Sequence, residues 1–104
     1  MEQKITPATS HPNDAAVGTI ISSCDSAEVF LDVTAGTGTA YLAQKSPGGK
    51  YHQYGPSWSV DNTVAGRQVG RIAIPREPAE YIVVVTGGPT LGAECWIRGV
   101  TRGR

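Results

Sequence analysis

The side chains that could do chemistry in this sequence are two histidines, two cysteines and scattered carboxylates. His11 lies in a polar N-terminal segment and His52 in a strand-like run, and neither is near a G-x-S-x-G motif. Nucleophilic catalysis needs a serine or cysteine with a base within hydrogen-bonding reach. The carboxylates fall where turns and solvated strand faces place them: Asp25, Asp32, Asp61, Glu77, Glu80 and Glu94. The sequence therefore predicts a protein that is not an enzyme.

Metal and phosphate sites also lack their usual spacing. Cys24 and Cys95 form no C-x-x-C pair, so zinc is not predicted. The stretch "TAGTGTA" (34–40) supplies only a G-x-G, whereas a dinucleotide site needs a third glycine before a helix and a P-loop needs a lysine. We expect a turn there, no metal and no cofactor. The cysteines are expected to be reduced and buried, with a disulfide between them as the alternative.

The aromatic cluster "YHQYGPSW" (51–58) is the most suggestive local feature. Tyr51, Tyr54 and Trp58 are placed to stack on a sugar or a base, with His52 and Gln53 adding hydrogen bonds. Residues three apart on a strand point to opposite faces, which predicts one tyrosine in the core and the other outside. Two uses stay open for these rings: core filling with a subunit contact, and a stacking platform.

The composition indicates short strands joined by turns. Only 39% of residues are hydrophobic and 17% charged, while the chain holds 13 Gly and 7 Pro, and it lacks the Ala-, Leu-, Glu- and Lys-rich runs of long helices. Strand-like runs occupy 16–23, 27–33, 40–45, 50–54, 58–62, 67–74, 80–85 and 92–100. Their spacing of ~8–12 residues is typical of a sandwich. We predict an all-β fold, an antiparallel β-sandwich or jelly roll of about eight strands.

Alternation orients several of these runs. The apolar faces of 27–33 and 92–100 carry Val29, Leu31, Val33, Ala93, Cys95 and Ile97. Their opposite faces carry Glu28, Phe30, Asp32, Glu94, Trp96 and Arg98. The apolar run "EYIVVV" (80–85) is expected to be a central strand. "SPGG" (46–49) predicts one hairpin turn and the Gly-Gly-Pro at 87–89 a second.

The N-terminal 15 residues differ in composition from the rest. They are polar and interrupted by Pro7 and Pro12, which predicts an extended arm at 1–15 ahead of a sandwich domain at 16–104. Such arms are usually disordered unless they are tied down. We expect this arm to lie on a neighbouring subunit or on the domain itself.

The charge pattern limits the classes of partner. Nine basic and nine acidic residues balance, whereas nucleic-acid binding relies on clustered Lys and Arg. No run approaches the ~20 apolar residues of a membrane span, and the N-terminus lacks the apolar stretch of a signal peptide. We therefore expect no nucleic-acid partner, no membrane and synthesis in the cytoplasm. Arg98, Arg102 and Arg104 form either a solvated tail or a contact for an acidic neighbour.

The order of "GTAYLAQKSPGGKYHQYG", "IAIP" and "AEYIVVVTGGPTLGAECWI" resembles small β-sandwich proteins of tailed-bacteriophage virions, over Ala35 to Val100. The resemblance implies a capsid decoration or cement protein, usually a homotrimer, seated where major capsid proteins meet on the virion surface. Head-completion and tail-associated sandwich proteins are similar. Decoration proteins often clamp with their N-terminal arm, but this arm matches no motif of that kind.

Two functions follow as expectations. As virion cement, the arm with Lys4 and Ile5 would lie across a capsid or sister subunit, and Arg98 and Arg102 would meet acidic capsid surface. As a glycan-binding module of a phage tail or adhesin, the chain would use Tyr51, Tyr54 and Trp58.

Overall fold

Residues 1–101, which a computed structural model describes, form eleven short β-strands and one 3-10 helix. The strands are β1 (Glu2–Lys4), β2 (Thr19–Ile21), β3 (Ser26–Leu31), β4 (Val33–Ala35), β5 (Gly38–Lys45), β6 (Tyr51–Gln53), β7 (Trp58–Val60), β8 (Arg67–Ala73), β9 (Ala79–Thr86), β10 (Thr90–Leu91) and β11 (Trp96–Val100). The helix is Asn62–Val64. No helix in the described part of the chain is long and apolar enough to cross a membrane.

The strands form two main antiparallel sheets and a small third one. The first sheet has the order β1-β11-β3-β8, and the second has the order β2-β9-β5-β6, with β7 also paired to β5. Strands β4 and β10 form a separate pair. Apolar side chains from both main sheets meet in one buried core, to which Val29, Leu31 and Ile97 contribute from the first sheet and Leu42 and Val83 from the second. The predicted all-β sandwich is confirmed, with eleven short strands in the described residues where about eight were predicted.

Much of the predicted alternation is confirmed, although Ala93, predicted on the apolar face, is exposed and lies before β11. Val29, Leu31 and Ile97 are buried, so their neighbours Phe30 and Trp96 project from the outer face of the first sheet, because successive strand residues alternate. Strand β9 lies between β2 and β5, as expected of a central strand. Residues 46–49 form the predicted hairpin turn, which sets Lys45 opposite Tyr51.

The Gly-Gly-Pro turn differs from its prediction. It does not close a hairpin, because β9 lies in the second sheet and β11 in the first. Gly87 and Gly88 both adopt positive φ, 95° and 75°, a conformation that glycine takes at no steric cost. The turn therefore carries the chain from β9 to β10, which pairs with β4 in the small third sheet, before β11 joins the first sheet.

The stretch 34–40 is more ordered than the predicted turn. Gly36 turns the chain with φ 82°, but Gly38 already belongs to β5. A side chain on Gly38 would overlap the carbonyl oxygen of Thr86 on the neighbouring strand. Glycine here permits close strand approach and provides no cradle for phosphate.

The cysteines lie in the core as expected. Cys24 and Cys95 are both buried and free, so the disulfide alternative does not form. Burial raises the pKa of the Cys95 thiol, which keeps it protonated and unreactive at neutral pH.

Candidate binding surfaces: the arm and the outer face of the first sheet

The N-terminal arm binds to the edges of both sheets of its own domain. Strand β1 pairs with β11, with Glu2 opposite Arg98 and Lys4 opposite Trp96. The chain then crosses to the second sheet, where the Ala8 N–H donates to the Val83 carbonyl at 2.9 Å and the Ala8 carbonyl accepts from Val85 at 2.8 Å. Of the two sites expected for the arm, the structure places it on the domain itself, where it covers sheet edges that invite pairing with other chains.

The arm also covers apolar side chains on the outer face of the second sheet. Ala43, Tyr51 and Val84 form a small buried cluster there, with Ala8 and Ala16 packed against it. We call this group the arm cluster. It explains why Tyr51 is only 4% exposed although it points away from the main core.

His11 fastens the arm to the second sheet through both ring nitrogens. Its Nδ1 lies 2.6 Å from the Tyr41 hydroxyl, and its Nε2 lies 3.0 Å from the Tyr51 carbonyl oxygen. A carbonyl only accepts, so Nε2 carries a proton, and in the neutral ring Nδ1 accepts from Tyr41. The two rings stack with centroids 6.0 Å apart.

Glu80 joins the end of the arm to β9. Its Oε2 accepts from the Gly18 N–H at 2.6 Å and from the Tyr51 hydroxyl at 2.9 Å, and that hydroxyl also lies 3.0 Å from the Ala16 carbonyl. The bond from Gly18, then that from Tyr51, lowers the pKa of Glu80, and nearby Lys45 adds to the effect. Burial, together with Glu80, raises the pKa of Tyr51 to about 12.

Glu80→Gln is expected to flatten the acid side of the stability profile. The pKa of Glu80 is lower in the folded chain than its ordinary value of 4.5, so ionised Glu80 stabilises the fold above that pH, and this contribution is lost as the pH falls through the lowered pKa. Urea unfolding measured at a series of pH values checks the difference. The pKa of Asp61 is also lowered, by its hydrogen bonds from Thr63, so the stability of Glu80→Gln still falls somewhat at acid pH. Asp61→Asn is the comparison variant, and it should keep the part of the acid-side slope that Glu80 causes. An unchanged profile in Glu80→Gln would contradict this role.

The three aromatic residues predicted as a platform do not share a surface. Tyr51 lies beneath the arm, whereas Tyr54 and Trp58 pack against the main core. Tyr54 meets Tyr81 edge to face at 6.2 Å. Of the two uses left open for these rings, the arrangement favours core filling over a common stacking platform, because strand alternation and the arm bury the rings in separate places. Tyr51 and Tyr54 point to opposite faces as predicted, but the outward-pointing Tyr51 is covered.

The other residues predicted at an interface have intramolecular contacts in the structure. Lys4 is half exposed and lies 3.8 Å from Glu94, and Ile5 packs against the core of its own chain. Arg98 forms an ion pair with Glu28. Arg102, like Arg104, lies outside the described residues.

Glu28 is the centre of a charged group on the outer face of the first sheet. Its side chain is only 8% exposed and accepts from Arg98 Nε at 2.8 Å and Nη2 at 2.5 Å, while Arg71 lies 3.6 Å away. The Arg98 guanidinium lies over the Phe30 ring, 5.0 Å from its centroid. A nearly buried carboxylate needs such partners because desolvation of a lone charge is costly.

A groove of about 450 Å³ opens beside this group, lined by Glu2, Phe30, Gly66, Glu94, Trp96 and Arg98. Phe30 and Trp96 are directly opposite each other in the register of β3 and β11. The Trp96 indole N–H donates to Glu94 at 3.2 Å. Sequence reasoning placed both rings on the polar face of their strands but missed the groove, since the register that joins them is a long-range property.

Exposed apolar side chains lie just after the C-terminal end of the arm. Val17 and Ile20 are 89% and 57% exposed, and Ile20 lines a shallow depression with Pro47, Pro75 and Pro78. We call Ile20 and the three prolines the β2 patch, and the charged residues Lys45, Glu77 and Glu80 line the same depression. Exposed apolar side chains grouped in this way commonly mark an interaction site.

Among residues 1–101, no three His, Cys, Asp or Glu side chains are grouped to hold a metal ion. Comparison with known proteins adds no relative: no protein-family model, curated protein or solved structure matches the chain.

Proposed function

We propose that this chain is a structural virion protein that decorates a bacteriophage capsid as cement, working as a homotrimer in contact with the major capsid protein. The observation that carries the proposal is the attachment of the arm to two sheet edges by main-chain pairing. Such a protein acts by forming contacts with other protein chains.

The arm is suited to bind a neighbour because its pairing asks little of its side chains. Strand β1 consists of three exposed polar residues, Glu2, Gln3 and Lys4, so apart from the 3.9 Å ion pair between Glu2 and Arg98 its contacts with β11 rest on the backbone. Every copy of the chain has the same two edges, each covered by its own arm in the structure. Exchange of an identical element between copies forms the same bonds at low cost, and strand addition to a sheet edge is a common mode of recognition.

The β2 patch supplies an apolar surface for the shell. Val17 and Ile20 are exposed in the isolated chain and directly follow the arm in sequence. A specific contact commonly buries ~1,200–2,000 Å², so the cement role requires further surface of the second sheet beside the β2 patch. The cement role thus assigns the arm to sister subunits and the β2 patch to the major capsid protein.

Binding to undecorated phage heads tests the proposal. The chain is expected to co-sediment with heads at a fixed ratio, and Ile20→Lys is expected to weaken binding because it places a charge in the apolar patch. Ser59→Lys, at an exposed position on β7, is the matched control and should bind like the unmodified chain. Light scattering should give the mass of a trimer. No binding at stoichiometric excess, or a monomer on the head, would end the proposal.

A further inference from the structure

The outer face of the first sheet holds aromatic rings that the core does not use. The chain has one phenylalanine and two tryptophans, and Phe30 and Trp96 lie together outside the sandwich while smaller residues such as Val29 and Ile97 fill the interior. Both rings are half-buried and line the groove. Aromatic rings at the solvent side of a sheet, flanked by charges, are typical of a binding surface.

Polar groups in the groove are held in place before any ligand arrives. Two bonds to Glu28 and the Phe30 ring fix the Arg98 guanidinium, and its Nη1 lies 3.9 Å from Glu2. The bond to Glu94 fixes the Trp96 indole. Preorganised groups lose little conformational entropy on binding, which favours affinity.

The charge balance indicates the class of ligand. The carboxylates of Glu2, Glu28 and Glu94 are matched by the cations of Lys4, Arg71 and Arg98, each within 4.0 Å of a partner. A surface with paired charges offers hydrogen-bond donors and acceptors, but it has no excess charge that would attract an anionic or a cationic ligand. Its volume of about 450 Å³ lies within the ~300–1,000 Å³ of small-molecule sites.

We propose that this groove binds a neutral carbohydrate of one or two hexose units. The C–H face of a hexose packs on Trp96, and its hydroxyls donate to Glu94 and Glu2 and accept from Arg98. This site is distinct from the β2 patch and requires no capsid. Its Glu2 comes from β1, which forms the same pairing with β11 within one chain or between sister subunits, so the sugar test does not depend on the cement role.

The test uses the intrinsic fluorescence of Trp96. In a Trp58→Phe background Trp96 is the only tryptophan, and the protein is titrated with maltose, cellobiose and lactose at millimolar concentrations. At least one disaccharide is expected to change the emission saturably. Phe30→Ala and Glu94→Gln in the same background are each expected to weaken that binding by at least about tenfold, as truncation of a central aromatic or polar contact commonly does.

Ile20→Ala, far from the groove on β2, is the control and should leave the affinity unchanged. Glu94→Gln keeps the shape of the side chain, and it carries the test alone if Phe30→Ala does not fold. The proposal is overturned by the absence of a saturable response to all three sugars, or by affinities that neither groove variant changes. Arginine amide is titrated as a cationic comparison. A saturable response to it and to none of the sugars would also overturn the proposal, because the groove would then bind cations.

Discussion

Removal of residues 1–8 is expected to lower the free energy of unfolding by about 3–5 kcal/mol. The deletion removes the β1–β11 pairing, the Ile5 N–H bond to the Cys95 carbonyl at 2.8 Å and the Ala8 pairing with β9. It also exposes the side of the core that Ile5 covers and part of the arm cluster. A loss of this size is a large share of the ~5–15 kcal/mol that stabilises a typical domain. Urea unfolding followed by tryptophan fluorescence measures it.

A synthetic peptide of residues 1–10 is expected to restore stability to the truncated chain in a concentration-dependent way, because ligand binding to the folded state raises its stability. A peptide of scrambled sequence is the control. If the truncated chain does not fold, Ala8→Pro is tested instead: it removes the N–H that bonds Val83 and fixes the local backbone, while Ala8→Ser keeps the N–H. A truncated or Ala8→Pro chain as stable as the parent would show that the arm contributes nothing.

Gly70→Ala is expected to destabilise the fold by about 3 kcal/mol, at the upper end for an overpacked core. Gly70 lies opposite Val29 on the core side of β8, and a side chain there would overlap the indole ring of Trp58. A rigid ring cannot bend aside as a flexible side chain does. Thermal unfolding monitored by circular dichroism checks the loss.

Gly48→Ala is the matched control for Gly70→Ala. The nearest atom to an added methyl at Gly48 is Ser46 Oγ at 3.8 Å, so this variant should be as stable as the parent. Trp58→Phe combined with Gly70→Ala should recover part of the loss, because a smaller ring leaves room. Equal stability of Gly70→Ala and Gly48→Ala would contradict the contact.

Local sequence patterns predicted the sandwich because its strands follow local rules. Val29 and Leu31 alternate with polar neighbours, and "SPGG" carries its own turn chemistry, so both are legible in a few residues. The path of the arm is different. Glu2 to Lys4 pair with β11 through backbone groups, and backbone pairing leaves no residue pattern to recognise. The small strands β4 and β10 escaped prediction for the same reason.

The candidate site was harder to predict than the fold. Alternation put Phe30 and Trp96 on outer faces, but only the register of β3 against β11 brings them together. The ring cluster at 51–58 drew attention because its members are close in sequence. In the fold they separate, with Tyr51 beneath the arm and Trp58 on the core. Closeness along the chain is a poor guide to a shared surface when residues alternate between faces.

The pairing of β1 with β11 also governs when the molecule can finish folding. On a ribosome the first strand emerges early and has no partner until the eleventh has been made, so its docking is a late event, and non-local pairings of this kind fold slowly. During that interval a β11 edge on another nascent copy is chemically equivalent. When many ribosomes translate one mRNA, pairing of β1 with the β11 of a neighbouring chain would then be favoured. Refolding at low protein concentration would favour pairing within one chain.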